Sequence, residues 1–387
     1  MGGRYAAQVR LTRWLWVVAA VLIVALVVLG ILLLSGRSDE SRAAQSESQI
    51  PTVPEETPQS EAAEAGSVPA LQVPQSAPVE PLPTVDADSC LIVFEDDGED
   101  PLVAKKGELF PHLPLLTSGE EVFAGWYETQ QAAADLNRTA RVNMSREVEC
   151  GDEPIFLHPA WVTKERNAEE EAEIPVLMYH WFTENPEGED HWLSSNFLYV
   201  GDFEDHLKYI KDEQFYLPTW PELSAFIDGD LFLPSESVIL TDDDGHKTWY
   251  EYAVPLVEEN EVMVTSFVIG SRGVGPDVTQ YVQKRSHTNE MHEAGENGQG
   301  RMVNWTKDEI IEDMLESADM IDGAKEVMAY PYGHNDENAW EALEEAGWDL
   351  GRTVDYGYVS IGTNRYALPV VRVNYGMGVD ALAAAIG

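Results

Sequence analysis

The pattern of apolar and polar residues divides the chain into stretches of different kinds. Residues 14–34 form an uncharged run of 21 residues dominated by Val, Leu, Ile and Ala. A helix of that length spans about 31 Å, which matches the core of a bilayer. Arg4, Arg10 and Arg13 precede the run, so a single membrane span with residues 1–13 in the cytoplasm and the remainder outside the cell is predicted. A cleaved signal peptide is the alternative, and it also exports the later domains.

The next stretches differ from one another in composition. Residues 35–88 are rich in Ser, Glu, Pro, Ala and Gln and offer too little apolar surface to fold, which predicts a flexible, self-repelling acidic spacer. In residues 89–162, short apolar runs such as Val122–Tyr127 alternate with Gly and Pro clusters, which favours a small β-rich module. Cys90 and Cys150 flank this module, and a disulfide is the default for two cysteines in an exported protein. The sequence alone does not tell whether they lie within bridging distance.

After an acidic linker at residues 163–173, strand-like and helix-like stretches alternate through residues 174–387. The predicted strands are Ile174–Tyr179, Ser237–Thr241, Val262–Ile269 and Val327–Tyr330, and the predicted helices are Asp202–Lys211, Tyr250–Asn260, Thr306–Ile321 and Asn335–Ala346. Such alternation favours an α/β fold with a parallel sheet that is closed or partly closed into a barrel. Reactive residues are then expected at the C-terminal ends of the strands.

The charge balance narrows the possible functions. The chain has 69 acidic and 24 basic residues, for a formal net charge of -45. A surface of this charge repels phosphates, so nucleic acid is excluded as a partner. The acidity is either a general solubility trait, as in a salty habitat, or a means of attracting a cationic polymer.

Candidate chemistry is concentrated at two places in the C-terminal domain. Asp242, Asp243 and Asp244 directly follow a predicted strand. Adjacent carboxylates near a core need a cation or hydrogen bonds, although a solvated acidic loop is the alternative. His287 and His292 lie five residues apart, so at least one of them belongs to a loop or turn. Two histidines and one carboxylate are a usual ligand set for Zn²⁺ or a related divalent ion.

In their order along the chain these motifs resemble the polysaccharide deacetylase family, the NodB-homology carbohydrate esterases of family 4. The first motif appears as Thr241–Gly245, with Asp242 where the family usually has Phe, and the second appears within His287–His292. The third appears as Tyr330–Gly333, without the Arg that normally precedes it. The longer histidine spacing and the missing Arg resemble the branch that acts on poly-N-acetylglucosamine.

The resemblance implies a distorted (β/α) barrel and a set of roles. Asp243 would be the catalytic base, and Asp244, His287 and His292 would hold a divalent ion, most naturally Zn²⁺ with Co²⁺ or Ni²⁺ as alternatives. The ion would polarise the acetamide carbonyl and bind water, and the backbone N–H of Tyr332 would help to stabilise the oxyanion. Pro331 and Trp249 complete the predicted substrate contacts.

A general acid is also required, and the family usually takes it from a C-terminal histidine. No histidine follows His334 in this chain. The resembled branch is circularly permuted, which implies His180, at the end of the strand Ile174–Tyr179, as the acid, with His334 as its rival. Arg372 is the candidate for keeping Asp243 ionised in place of the missing Arg, and His246 is a candidate for a position just outside the metal ligands.

The β-rich module has a resemblance of its own. Phe123–Tyr127, together with a terminal strand that ends in Trp161, resembles the Listeria–Bacteroides repeat, a small β-grasp-like surface module. That resemblance implies either contact with a cell-wall polymer or a rigid spacer.

The sequence therefore predicts a membrane-anchored, extracellular enzyme that removes N-acetyl groups from an amino-sugar polysaccharide. Poly-N-acetylglucosamine, peptidoglycan and chitin-like polymers remain open as substrates, and no protein partner is indicated. Two alternatives stay open: a catalytically inactive, carbohydrate-binding relic of the same fold, and a surface adhesin that acts through the middle module.

Overall fold

The computed structural model describes residues 83, 85–95, 98–295 and 297–387, which belong to one compact unit, Val79–Gly387. The predicted cytoplasmic segment, the predicted membrane helix and nearly all of the predicted spacer lie outside the described residues. Among the helices that are described, none combines the length and the apolar character needed to cross a membrane.

The N-terminal part of this unit is a mixed β-sheet. Its elements are β1 (Ser89–Phe94), β2 (Leu102–Lys105), β3 (Glu121–Tyr127), α1 (Gln130–Ala134), β4 (Arg141–Val142) and β5 (Ile155–Thr163). The strands lie in the order β2-β1-β5-β3-β4, with β1 and β5 parallel and the other pairs antiparallel. The predicted disulfide is confirmed, since Cys90 of β1 is bonded to Cys150. The likeness to a Listeria–Bacteroides repeat stays a prediction.

The C-terminal part is an α/β barrel. Its elements, after the helix α2 (Lys164–Glu169), are β6 (Val176–Tyr179), β7 (Trp181–Thr183), β8 (Phe197–Tyr199), α3 (Val200–Asp212), α4 (Trp220–Ile227), β9 (Ile239–Asp244), α5 (Val254–Asn260), β10 (Val264–Val268), β11 (Val282–Ser286), α6 (Lys307–Asp319), β12 (Val327–Ala329), α7 (Glu337–Ala346), β13 (Leu350–Tyr356), β14 (Leu368–Arg372) and α8 (Val379–Ile386).

Seven of the described strands close into this barrel in the order β10-β11-β12-β13-β14-β6-β9. All neighbouring pairs are parallel, which confirms the predicted parallel barrel. Residues 163–173 were expected to form a linker, but they contain the helix α2. The side chain of Thr163 caps its first turn. A π-helical turn, Trp249–Ala253, precedes α5.

The β-rich module shares a hydrophobic core with the barrel. A single hydrophobic cluster joins Phe123 and Trp126 of the module to the first residues of five barrel strands: Val176, Ile239, Val327, Leu350 and Leu368. The same cluster includes Trp220 and Phe226 of α4, so apolar side chains surround the N-terminal ends of these strands and the C-terminal ends remain available for chemistry.

Candidate metal centre and its neighbours

Strand β9 brings three consecutive aspartates to the C-terminal end of the barrel. Successive side chains of a strand point to opposite sides, so neighbouring carboxylates have different surroundings. Asp242 is buried and accepts a hydrogen bond from Ser266 of β10 at 3.1 Å. Asp243 is paired with the buried guanidinium of Arg352 from β13. Asp244 ends the strand with a φ of 76°, which starts the turn into the next segment.

Asp244, His287 and His292 come together as a candidate metal site. One ligand atom from each lies within 4.8 Å of the others. The Nε2 atoms of His292 and His287 lie 3.1 and 3.8 Å from Asp244 Oδ1. His287 Nδ1 lies 2.8 Å from the carbonyl oxygen of Ala329. A carbonyl only accepts, so Nδ1 carries the proton and the Nε2 lone pair is free for a metal. The donor set therefore fits a divalent ion of the Zn²⁺ type and leaves coordination positions open.

Trp181 contacts this ligand set from one side. Its indole N–H donates a hydrogen bond to Asp244 Oδ2 at 3.2 Å, which leaves Oδ1 facing the two histidines. The ring of His246 packs against Trp181 at 5.0 Å, and its Nδ1 lies 2.8 Å from the hydroxyl of Thr248. His246 thus lies outside the three candidate ligands and contacts Trp181, which donates to Asp244.

The surroundings of Asp243 favour its ionised form. Burial by itself would raise the pKa of Asp243, but Arg352 and the nearby imidazoles His180 and His287 outweigh burial and hold that pKa below its ordinary value. A carboxylate that stays ionised and oriented is suited to accept a proton.

The prediction that Arg372 orients Asp243 is wrong. The Arg372 guanidinium instead donates to the side-chain oxygens of Asn196 and Asn374, at 2.8 and 3.1 Å. Arg352 pairs with Asp243 because β13 lies across the barrel interior from β9, and its guanidinium also lies 4.9 Å from the ring centre of Phe267. The sequence feature that could have indicated Arg352 is its position in the strand-like segment that follows the Pro-Tyr-Gly motif.

The two rival histidines have different surroundings. His180 follows β6, and its Nε2 lies 3.8 Å from Asp243 Oδ2. Burial lowers the pKa of His180, although Asp243 and Asp244 act in the opposite direction. His334 Nδ1 accepts a hydrogen bond from the backbone N–H of Gly300 at 2.9 Å, and its ring packs against Tyr332. His180 is therefore the one that lies beside Asp243.

The predicted substrate contacts divide into two groups. Tyr332 is 46% exposed, and its ring lies 4.8 Å from that of His292, so it borders the candidate metal site. Pro331 precedes it and is buried. The prediction that Trp249 contacts substrate is wrong, because the π-helical turn directs its ring into the core against Phe182.

One exposed aromatic residue near the site was not predicted. Trp192 is 84% exposed, and its ring packs against that of His191. His191 in turn packs against Trp181, which contacts Asp244. A chain of ring contacts thus leads from the candidate metal ligands to the exposed indole of Trp192. The acidic sequence of this loop did not indicate such a contact.

Comparison with known proteins gives consistent similarities. Residues 233–351 match the family described as polysaccharide deacetylase. A candidate polysaccharide deacetylase of Bacillus subtilis, YxkH, is 28% identical over 240 residues, which cover 59% of this chain and 79% of the relative. The poly-beta-1,6-N-acetyl-D-glucosamine N-deacetylase of Staphylococcus aureus (strain MRSA252) is 23% identical over 193 residues, covering 44% of this chain and 66% of the relative.

Two solved structures give weaker likenesses. The Streptococcus pyogenes deacetylase PplD, in complex with acetate, has 22% sequence identity and a TM-score of 0.46 over 56% of this chain and 99% of its own. IcaB from Ammonifex degensii has 20% identity and a TM-score of 0.46 over 56% of this chain and 97% of its own.

Proposed function

We propose that the chain, whose residues 233–351 match the polysaccharide deacetylase family, is a metal-dependent hydrolase of N-acetyl groups on an extracellular polymer of N-acetylglucosamine. The observation that carries this proposal is the juxtaposition of two sets of residues. Asp244, His287 and His292 offer three metal-binding atoms. Asp243 and His180 lie next to them, with His180 Nε2 3.8 Å from Asp243 Oδ2. A base and an acid beside a Lewis-acid site are what hydrolysis of an amide requires.

The surroundings of each residue suit it to one step of amide hydrolysis. When bound, the divalent ion supplies Lewis-acid polarisation of the acetamide carbonyl and lowers the pKa of water. Asp243, kept ionised by Arg352, takes a proton from the attacking water as the new C–O bond forms. His180 gives a proton to the sugar nitrogen as the C–N bond breaks, so that the products are acetate and an amine. The backbone N–H of Tyr332 is proposed to stabilise the charge that develops on the carbonyl oxygen.

The proposed polymer is poly-β-1,6-N-acetylglucosamine in preference to peptidoglycan or chitin. The support is the name of the Staphylococcus aureus relative, together with the histidine spacing and the absent Arg in the third motif. The open faces of Trp192 and Tyr332 at the rim are suited to stacking on sugar rings.

The acetate-release experiment uses the full chain purified from membranes. We expect acetate from poly-β-1,6-N-acetylglucosamine at a higher rate than from peptidoglycan or chitin oligomers. A chelator should abolish release, and Zn²⁺, Co²⁺ or Ni²⁺ should restore it. The control is Asp243→Asn, which should keep its metal and lose about 10²–10⁴-fold in rate, the usual contribution of a general base. Acetate release that persists in chelator, or none from any of the three polymers, would contradict the proposal.

We further propose that the domains lie outside the cell, anchored by residues 14–34. The Cys90–Cys150 disulfide supports this location, because such bonds persist in oxidising compartments. Protease added to intact cells should then remove the C-terminal domains and leave a membrane-bound N-terminal fragment. Full protection of the chain until the cells are lysed would refute the location.

A further inference from the structure

The loop that carries the two candidate histidine ligands has a demanding conformation. His287 directly follows β11, and five residues later His292 must return to face the same carboxylate, Asp244. Between them Thr288 has a φ of 67°, in the left-handed region that is unfavourable for a β-branched residue. Such a conformation persists only where the surrounding structure holds it.

Helix α6 supplies the groups that hold this loop. The two carboxylate oxygens of Asp313 accept hydrogen bonds from the backbone N–H groups of Asn289 and Glu290, at 2.8 and 2.7 Å. Asp313 is only 4% exposed, so these bonds are formed away from water. Hydrogen bonds from backbone N–H groups to a carboxylate are about twice as strong as neutral ones.

A second contact from α6 supports the start of the loop. The hydroxyl of Ser317 lies 2.6 Å from that of Ser286, and Ser286 accepts a hydrogen bond from the backbone N–H of Thr288 at 2.9 Å. The loop is thus attached to the helix on both sides of the left-handed residue. Among the contacts made by the helix, those within the segment that separates the two imidazoles are the two bonds to Asp313 and a bond at 2.9 Å from the partly buried side-chain amide of Asn289 to Glu316.

We propose that Asp313 is a positioning residue for the metal centre. By accepting both N–H groups it fixes the path of the loop between His287 and His292, and so sets the distance of both imidazoles from Asp244. Asp313 would contact neither the metal nor the substrate. The inference rests on the proposed function, since it assumes that the three ligands hold a divalent ion.

The test compares Asp313→Asn with Glu312→Gln in the full chain. The side chain of Glu312 is exposed on the same helix, so both variants lose one negative charge but only Asp313→Asn changes the loop contacts. In Asp313→Asn the amide NH₂ faces a backbone N–H, so one of the two hydrogen bonds is lost. The affinity for Zn²⁺, measured by competition with a chromophoric chelator, should fall about 10–100-fold in Asp313→Asn and stay unchanged in Glu312→Gln.

A second readout reports the geometry of the ligands. The visible absorption spectrum of the Co²⁺-loaded protein should differ from wild type in Asp313→Asn and match it in Glu312→Gln. Asp313→Glu keeps the charge but moves the carboxylate by one methylene, so it should also bind Zn²⁺ more weakly than wild type. This variant replaces Asp313→Asn if circular dichroism finds the latter unfolded.

The outcomes separate the two proposals. A folded Asp313 variant with wild-type Zn²⁺ affinity and Co²⁺ spectrum would overturn the positioning role and leave the proposed function intact. If the wild-type chain itself bound no metal, the proposed function would fail, and this inference with it.

Discussion

At the scale of single residues, three identical side chains in a row have pKa values that shift in different directions. Burial and the neighbouring carboxylates raise the pKa of Asp242 well above its ordinary value. The pKa of Asp243 is held low, chiefly by Arg352 against the effect of burial, and that of Asp244 is held low against burial by His292 and His287. Environment, not residue type, therefore sets Asp242 apart from the candidate base Asp243 and the candidate ligand Asp244.

The sharpest prediction at this scale concerns the general acid. His180→Ala should fold and retain metal but lose about 10²–10⁴-fold in rate, because nothing protonates the departing nitrogen. His334→Ala should be milder, since that ring accepts a hydrogen bond from Gly300 and lies beyond Tyr332.

The pH dependence of the rate provides the decisive measurement. In wild type the rate should fall as the pH rises through the pKa of His180, because a deprotonated imidazole cannot donate. His180→Ala should lack this alkaline limb, and His334→Ala should keep it. The reverse ranking of the two variants, or an alkaline limb that survives in His180→Ala, would exclude His180 as the acid.

At the scale of elements, apolar runs predicted four of the described barrel strands, whereas β11, β13 and β14 were missed. β6, β9, β10 and β12 fall within the predicted ranges or extend them by a few residues. β11 was missed because its central residues are Gln283, Lys284 and Arg285, which give no apolar pattern. β13 was missed because it buries Gly351, Arg352 and Thr353, and an arginine in sequence is normally assigned to solvent.

The same limit explains what could be predicted of the site. Asp243 and Asp244 belong to one short motif and the two candidate histidine ligands to another, and the family resemblance implied that the two motifs meet. The pairing of Arg352 with Asp243 depends on which strands face each other across the barrel, and local sequence does not contain that information. The contacts of Asp313 with the histidine loop were missed for the same reason, since Asp313 lies on a helix with several other acids.

At the scale of the whole molecule, a buried polar network couples the β-rich module to the barrel. The guanidinium of Arg141 in β4 lies 3.1 Å from Glu222 Oε1 in α4, and both side chains are almost fully buried. Asn143 donates to the other oxygen of Glu222 at 2.7 Å, and Tyr216 also donates to Glu222. The module and the barrel are therefore joined by a buried ion pair and hydrogen bonds as well as by a shared hydrophobic core.

Removing one partner of this pair should destabilise the whole unit. Glu222→Gln leaves the buried guanidinium of Arg141 without its counter-charge, and we expect a loss of about 3–5 kcal/mol in the free energy of unfolding. Glu236→Gln is the matched control, because it breaks a partly exposed pair with Arg138 and should cost about 0–1 kcal/mol. Urea unfolding followed by tryptophan fluorescence measures both. Equal effects of the two variants would contradict a stabilising role for the buried pair.

The hydrophobic core shared by the module and the barrel also bears on where the chain can be divided. Domain boundaries usually fall in linkers that few contacts cross. Here a cut at residues 163–173 would remove Phe123 and Trp126 from the cluster that also contains Val176, Leu350 and Leu368. The barrel would thus lose part of its hydrophobic core. The module and the barrel are therefore expected to fold only when they are expressed together.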